Sequence, residues 1–279
     1  MHYRTLGRTG REVSEVACGT FRSFDIPGPR GGERVLALMR ENLARGVNLF
    51  DSAPMYGHSE ANIGHAVQHL GGADTTAPRA FYIATKVLQN DLAGAREQIA
   101  HSFRVIGGRI DLLQIHNMAG WRRVLPHLAE LKAEGRIGAT GITHYDPGAF
   151  AEMEQAMKTG DVDVIQVPYN VAERDVEQRL LPLAEDMNVG VLVMTPIQPM
   201  FRRTSLLQTL QQLDLTPFRD YGVTDAGALA LKYLLSKDER VILLPATSRP
   251  ERVRANAAVS DAPPLPPELI ARVERHVGG

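Results

Sequence analysis

Four residue types suited to proton and charge chemistry fall into one pattern in the first half of the chain. Asp51 opens Asp51-Ser52-Ala53-Pro54-Met55-Tyr56-Gly57, Lys86 follows Ile83-Ala84-Thr85, and His116 closes Asp111-Leu112-Leu113-Gln114-Ile115-His116. A free phenol titrates at about 10, so at neutral pH it holds its proton and releases it reluctantly. An ammonium beside it stabilises the phenolate and lowers that pKa, and a carboxylate paired with the ammonium keeps it charged and oriented. Each pKa unit corresponds to about 1.4 kcal/mol, so a drop of a few units requires a close, partly desolvated lysine. A tyrosine so placed can protonate a carbonyl oxygen as hydride reaches the carbonyl carbon. A histidine directed at the same oxygen would fix it and stabilise the negative charge that develops there. The set therefore suits carbonyl reduction, with Tyr56 as proton donor.

Taken singly, each residue has an ordinary structural explanation. An Asp after a strand commonly caps a turn, and a Lys at a strand end commonly extends a solvated head on an apolar stem. The pattern gains force because Asp51, Lys86 and His116 each follow a short apolar run, at 47–50, 81–84 and 112–115. Further runs at 137–141, 164–167, 189–193 and 241–244, with 13–19 at the start, bring the strand candidates to eight. Amphipathic stretches lie between them. Val35, Met39 and Leu43 share one face ahead of Gly46, and 96–106, 125–132, 150–157 and 226–235 read as helices. Pro126 and Pro182 are expected to start or kink their helices. Strand–helix alternation implies a parallel sheet, either open and doubly wound or closed. Neither G-x-G-x-x-G nor G-x-x-x-x-G-K occurs, which disfavours the open nucleotide-binding sheet. The fold expected is α/β: a (β/α)8 TIM barrel with an N-terminal β-hairpin cap turning at Arg8-Thr9-Gly10-Arg11 and an extra C-terminal helix at 266–277. In such a barrel the reactive groups project from the C-terminal strand ends, where these four residues would converge.

The bulk properties agree. A chain of 279 residues suits one barrel domain over 1–279, and 44% hydrophobic with 23% charged residues is ordinary for a globular protein. A net charge of −1 argues against nucleic acid or anionic lipid as partner. The single cysteine, Cys18, rules out an internal disulfide and fits a reducing compartment. The N-terminus carries no signal-peptide pattern, and no apolar run approaches the roughly 18 residues of a membrane span. A cytoplasmic, soluble protein is expected, as a monomer or small homo-oligomer, with a small-molecule carbonyl partner and no metal.

At the level of motifs the chain resembles the aldo-keto reductases. Gly46-Val47-Asn48-Leu49-Phe50-Asp51-Ser52-Ala53-Pro54-Met55-Tyr56-Gly57-His58-Ser59-Glu60 with Ile63-Gly64, then Thr85-Lys86-Val87 and Gln114-Ile115-His116-Asn117, look like that family's successive signature elements. The resemblance implies Asp51, Tyr56, Lys86 and His116 as catalytic tetrad on a barrel binding NADP(H) without a Rossmann unit, with NAD(H) an allowed alternative. It also implies cofactor contacts. Gly19, Thr20 and Phe21 would lie near the nicotinamide with Asp51. Thr143 and His144 stand where relatives carry Ser-Asn for the carboxamide, and Gln166 matches the next carboxamide ligand. Thr195-Pro196 follow at the strand end, Thr195 replacing the usual stacking aromatic. Thr247, Ser248, Arg249, Arg252 and Asn256 resemble the adenosine-phosphate segment, at a helix N-terminus that favours anions, with Arg252 able to stack on adenine. Ala246 stands where many relatives have a Lys for the 2′-phosphate, and Ala255 where many have a Glu.

Residues 198–220 are the expected lid and specificity loop, and Phe21, Phe24, Trp121 and Met200 are candidate pocket walls. Two other readings remain open on the residues: a barrel lyase using Lys86 as a Schiff-base amine, and a redox-sensing module that binds cofactor with little turnover.

Overall fold

A hairpin opens the chain, with β1 (Tyr3–Thr5) antiparallel to β2 (Glu12–Ser14) and Arg4 opposite Val13. The computed structural model describes residues 1–70, 81–108, 110–199 and 205–278. Eight parallel strands follow: β3 (Cys18–Gly19), β4 (Leu49–Asp51), β5 (Tyr82–Val87), β6 (Leu112–His116), β7 (Ala139–Thr143), β8 (Val164–Pro168), β9 (Gly190–Met194) and β10 (Val241–Leu243). Their spatial order is their chain order, so each helix crosses to the adjacent strand and the sheet curls in one direction. Ala17 N–H donates to Leu243 O at 2.8 Å and Gly19 N–H to Pro245 O at 3.1 Å, which joins the first strand to the last and closes the barrel.

Outside the strands lie α1 (Arg30–Ala44), α2 (Ser59–His69), α3 (Leu92–Ile106), α4 (Trp121–Ala133), α5 (Phe150–Met157) and α6 (Leu180–Asp186). After β9 come α7 (Leu206–Gln211) and α8 (Ala226–Lys237), after β10 comes α9 (Pro250–Ala258), and α10 (Pro267–Gly278) ends the chain. Two-residue alternation sorts the strand side chains. On β6, Leu113 and Ile115 pack outward against the helices, while Leu112, Gln114 and His116 alternate with them on the inner face. The inner floor is apolar. Leu6, from the hairpin turn, plugs it among Leu49, Leu112, Val164, Leu192 and Ile242. Gly190 permits this plug, since a Cβ there would lie 2.7 Å from Leu6 Cδ1.

Two expectations need correction. The run 13–19 is not one strand. Ser14 ends the hairpin and Cys18 starts the barrel, because Asn48 grips the first half: its Oδ1 accepts from Ser14 N–H (2.7 Å) and its Nδ2 donates to Glu12 O (3.0 Å). Helix α4 starts at Trp121, after Gly120 with φ 57°, so of the two alternatives for Pro126, a start or a kink, the start is excluded and the proline sits inside the helix. Pro182, by contrast, lies in the first turn of α6. Cys18 is buried, and that burial, with the charge of Asp51, pushes its thiol up to about 12, which makes it a poor nucleophile.

Candidate active site

Above the floor the inward positions turn polar. Asp51 ends β4, Lys86 is the penultimate residue of β5, His116 ends β6 and Thr143 ends β7, so strand alternation carries all four to one mouth. Tyr56 reaches the same point from the turn after β4. Its N–H donates to Ala53 O at 3.0 Å, and its own carbonyl accepts from Ser59 N–H at 3.1 Å. The turn is held from outside by Asp25, whose Oδ1 accepts from His58 N–H at 2.9 Å and lies 2.9 Å from His58 Nδ1. Only glycine fits at position 57: its φ is +59°, and a Cβ would lie 2.2 Å from Asp25 Oδ1.

Lys86 is 1% exposed. Its Nζ donates to Asp51 Oδ2 and to Ser52 O, both at 2.7 Å, and lies 5.0 Å from the Tyr56 ring centroid. Asp51 also accepts from Gln114 Nε2 at 3.0 Å and Gln166 Nε2 at 3.1 Å. A buried ion pair survives only if its remaining lone pairs are satisfied, and these two amides do that for the carboxylate. Burial would lower the Lys86 pKa, but Asp51 and Tyr56 outweigh it, so the ammonium is held above its ordinary range. Burial raises the Tyr56 pKa, Lys86 pulls it down, and Asp51 pushes it up again, leaving it above the usual phenol value. The net direction is thus opposite to the one expected from Lys86 alone; the lysine offsets part of the burial effect. Burial, then Lys86 and His144, lower His116 to about 4, so its imidazole is neutral at pH 7. The Tyr56 and His116 rings meet edge to face at 6.1 Å.

These groups line a cavity of about 580 Å³ whose further walls include Phe21, Met55, Leu88, Tyr145 and Ile197. A second cavity of about 320 Å³, bounded by Asp225, Thr247, Arg249, Arg252 and Asn256, shares Ile197 and Ala246 with the first. Together they run from the tetrad to the start of α9. Two observations fit this path to a dinucleotide. Thr20 Oγ1, Thr143 Oγ1 and Gln166 Oε1 are buried without a hydrogen-bond partner among the described residues and border the first cavity, where a carboxamide could pair with them. At the other end, no side chain caps the N-terminus of α9; Pro250 carries no N–H and Arg252 N–H donates to Arg249 O, which leaves the Glu251 N–H for an anion.

Gly19, Thr20, Phe21, Thr195 and Pro196 border the first cavity, and Thr247, Arg249, Arg252 and Asn256 the second. Thr195 holds φ at +54°, an unusual conformation for a β-branched residue. Arg252 is already ion-paired with Asp225 at 2.8 Å. Ser248 is exposed and borders neither cavity. His144 does not line the cavity either. It stacks on Tyr145 at 5.0 Å, and its Nδ1 accepts from Asp146 N–H at 3.0 Å. Among the expected walls Phe21 qualifies. Phe24 is wholly buried in the core and Trp121 lies under α5, donating from Nε1 to Glu152, while Met200 falls outside the described residues. Of the expected lid, 198–199 and 205–220 are described and contain α7 and a 3-10 turn over Thr216–Tyr221. Sequence reasoning missed Gln114, Asp25 and the buried Glu60. Glu60 accepts from Thr85 (2.5 Å) and Ser102 (3.2 Å) behind Lys86.

Comparison with known proteins places this geometry in context. The sequence profile of the Aldo/keto reductase family matches residues 15–277. An NADH-specific methylglyoxal reductase of Escherichia coli K12 is 27% identical, over 91% of this chain and 91% of its own. L-galactose dehydrogenase of Arabidopsis thaliana is 30% identical, over 70% of this chain and 65% of its own. Among solved structures, an aldo/keto reductase from Klebsiella pneumoniae in complex with NADP and acetate superposes with a TM-score of 0.80 at 22% identity, covering 98% of this chain and 94% of the other.

Proposed function

This chain belongs to the aldo/keto reductase family, and from that premise we propose that it reduces aldehyde or ketone carbonyls to alcohols with Tyr56 as proton donor. The observation that carries the reading is the buried Lys86–Asp51 pair, with the Lys86 ammonium 5.0 Å from the Tyr56 ring centroid in the cavity that Tyr56 and His116 also line. When bound, a reduced nicotinamide would supply hydride to the carbonyl carbon. With its pKa raised, Tyr56 carries its proton throughout the neutral range and can give it to the carbonyl oxygen. Lys86 makes the phenol more acidic than burial alone would leave it, and Asp51, held by Gln114 and Gln166, keeps Lys86 charged. Neutral His116 serves as a hydrogen-bond donor to the same oxygen rather than as a charge. Thr143 and Gln166 would hold the carboxamide, and Arg249, Arg252 and the α9 N-terminus the phosphates. A Schiff-base role for Lys86 is disfavoured, because a nucleophilic amine needs its pKa lowered and here it is raised.

NADP(H) is the preferred cofactor in this reading, with NAD(H) accepted, since Ala246 offers no charge to a 2′-phosphate while Arg249 and Arg252 stand nearby. The Klebsiella structure is described with NADP, and the Escherichia coli relative is named NADH-specific. All of these residues come from one chain, so the chemistry requires no partner subunit, and no helix among the described residues is long and apolar enough to cross a membrane. The test is cofactor oxidation by the purified chain against aldehydes, ketones, quinones and sugar-derived carbonyls, with NADPH and NADH in parallel. Turnover with at least one carbonyl class is expected. Tight cofactor binding with no turnover on any of them would favour a sensing role.

A further inference from the structure

Away from the barrel mouth, the outer faces of α1 and α2 bring together three side chains that the carbonyl chemistry does not use. Glu33 stands in the first turn of α1, and His65 and His69 stand one turn apart on α2. None of them borders the first cavity. Their proximity follows from the glycine pair at the start of α1. Gly31 and Gly32 let α2 pack against backbone, since a Cβ on Gly32 would lie 2.6 Å from His65 Cγ and one on Gly31 2.9 Å from Asn62 Oδ1. The His65 ring is thereby set with Nε2 2.9 Å from Glu33 Oε1. The His69 ring lies alongside it, centroids 4.2 Å apart and tilted by 31°.

The tautomer of His69 is also determined. Its Nδ1 lies 2.8 Å from His65 O, and a carbonyl oxygen can only accept, so Nδ1 carries the proton. Neutral His69 then presents Nε2 as a bare lone pair. An imidazole N–H donating to a carbonyl is the usual support of a metal-bound histidine, fixing ring orientation and raising ligand basicity. One potential ligand atom from each of Glu33, His65 and His69 lies within 4.8 Å of the other two. A tetrahedral ion with metal–nitrogen distances of about 2.1 Å needs its ligands roughly 3.4 Å apart. Binding would close that difference by movement of the exposed Glu33 side chain and a small approach of the two rings, with the His69 Nδ1–H left on His65 O.

We propose that Glu33, His65 and His69 form a binding site for one divalent transition-metal ion of the zinc class, linking α1 to α2. Two imidazoles and one carboxylate suit Zn²⁺, Ni²⁺ or Cu²⁺, with water completing the shell, and not Mg²⁺ or Ca²⁺, which take oxygen ligands. Because α2 begins just after the Tyr56 turn, the ion would fasten the helix that carries this turn to its neighbour.

The test is a Zn²⁺ titration of the full chain against a chromophoric chelator, repeated with His69→Ala, Glu33→Gln and the double variant His65→Gln/His69→Gln. The wild type is expected to bind one equivalent that the double variant loses, with each single variant at least tenfold weaker and Mg²⁺ not competing. Zn²⁺ should also shift the imidazole resonances of His65 and His69 in the wild-type protein, a readout that requires no variant. Absence of such an equivalent in the wild type, unchanged affinity in the double variant, or resonance shifts confined to other histidines would each overturn the proposal.

Discussion

The floor and the mouth of the barrel are built on the same strands and follow opposite rules. At the floor, Leu6, Leu49, Leu112, Val164, Leu192 and Ile242 close on one another with apolar contacts alone. At the mouth, only a few residues along each strand, a lysine and an aspartate are almost fully buried. Thr20, Thr143 and Gln166 leave polar atoms unpaired there, and Thr195, Asn117 and Met118 hold positive φ. Such features cost stability individually and persist only where the surroundings over-determine them. The floor therefore supplies the rigidity that lets the mouth keep a buried charge pair and unsatisfied polar atoms in place.

The sharpest way to break this contrast is Lys86→Met. It leaves Asp51 charged, buried and without its cation, a change that typically costs about 3–5 kcal/mol. It also removes the group that pulls the Tyr56 pKa down. Folded protein should be markedly less stable by urea titration, and turnover should fall by about 10² or more. Wild-type rates in this variant would make the ion pair purely structural.

Leu6→Ala addresses the floor. Deleting a buried leucine should cost about 2–5 kcal/mol, yet kcat and cofactor affinity of the folded fraction should match the wild type. A loss of kcat without loss of stability would reverse the assignment of roles to the two regions.

A third effect is the pH dependence that His116 contributes at the mouth. His116 titrates at about 4 in the folded state against 6.5 unfolded, so the unfolded chain takes up the proton first as the pH falls. The associated stability is fully present above pH 6.5 and lost between 6.5 and about 4, up to roughly 3 kcal/mol from about 1.4 kcal/mol per pKa unit. His116→Gln should flatten the stability profile in that window, which urea titrations at several pH values would show; identical slopes would place His116 in a more solvated setting. The smallest effect lies at the far end of the groove. Ala246→Lys should tighten NADPH by about tenfold, as expected for one charge-assisted hydrogen bond, and leave NADH unchanged. Fluorescence titration with both cofactors measures it.

How much of this was legible in the sequence varies with the kind of contact. Strands β4 to β9 could be read because each contains a short apolar run, and β4, β6 and β7 end in a polar residue at the mouth. Asp51, Tyr56, Lys86 and His116 could be read because their spacing followed those runs. Helix α2 was not read, since it packs through Gly64, Ala66 and the glycines of α1 rather than through a broad apolar stripe. That omission also hid the pairing of His65 with His69. Gln114 was visible beside His116, but its hydrogen bond to Asp51 spans 63 residues and needs the closed barrel to appear. Trp121 suggested a pocket wall by type, whereas the start of α4 at Gly120 turns it toward Glu152. The direction of the Tyr56 pKa depends on burial, which residue spacing does not disclose.

The central claim is that Tyr56 gives the proton, and Tyr56→Phe tests it with the least disturbance, since it removes one oxygen from a half-buried ring. Single-turnover reduction of the best carbonyl found by screening should slow by at least about 10², while the dissociation constant for cofactor stays within about twofold, the change expected when no cofactor contact is lost. Near-native turnover by a folded, cofactor-binding Tyr56→Phe protein would contradict the claim and move the proton transfer to another group.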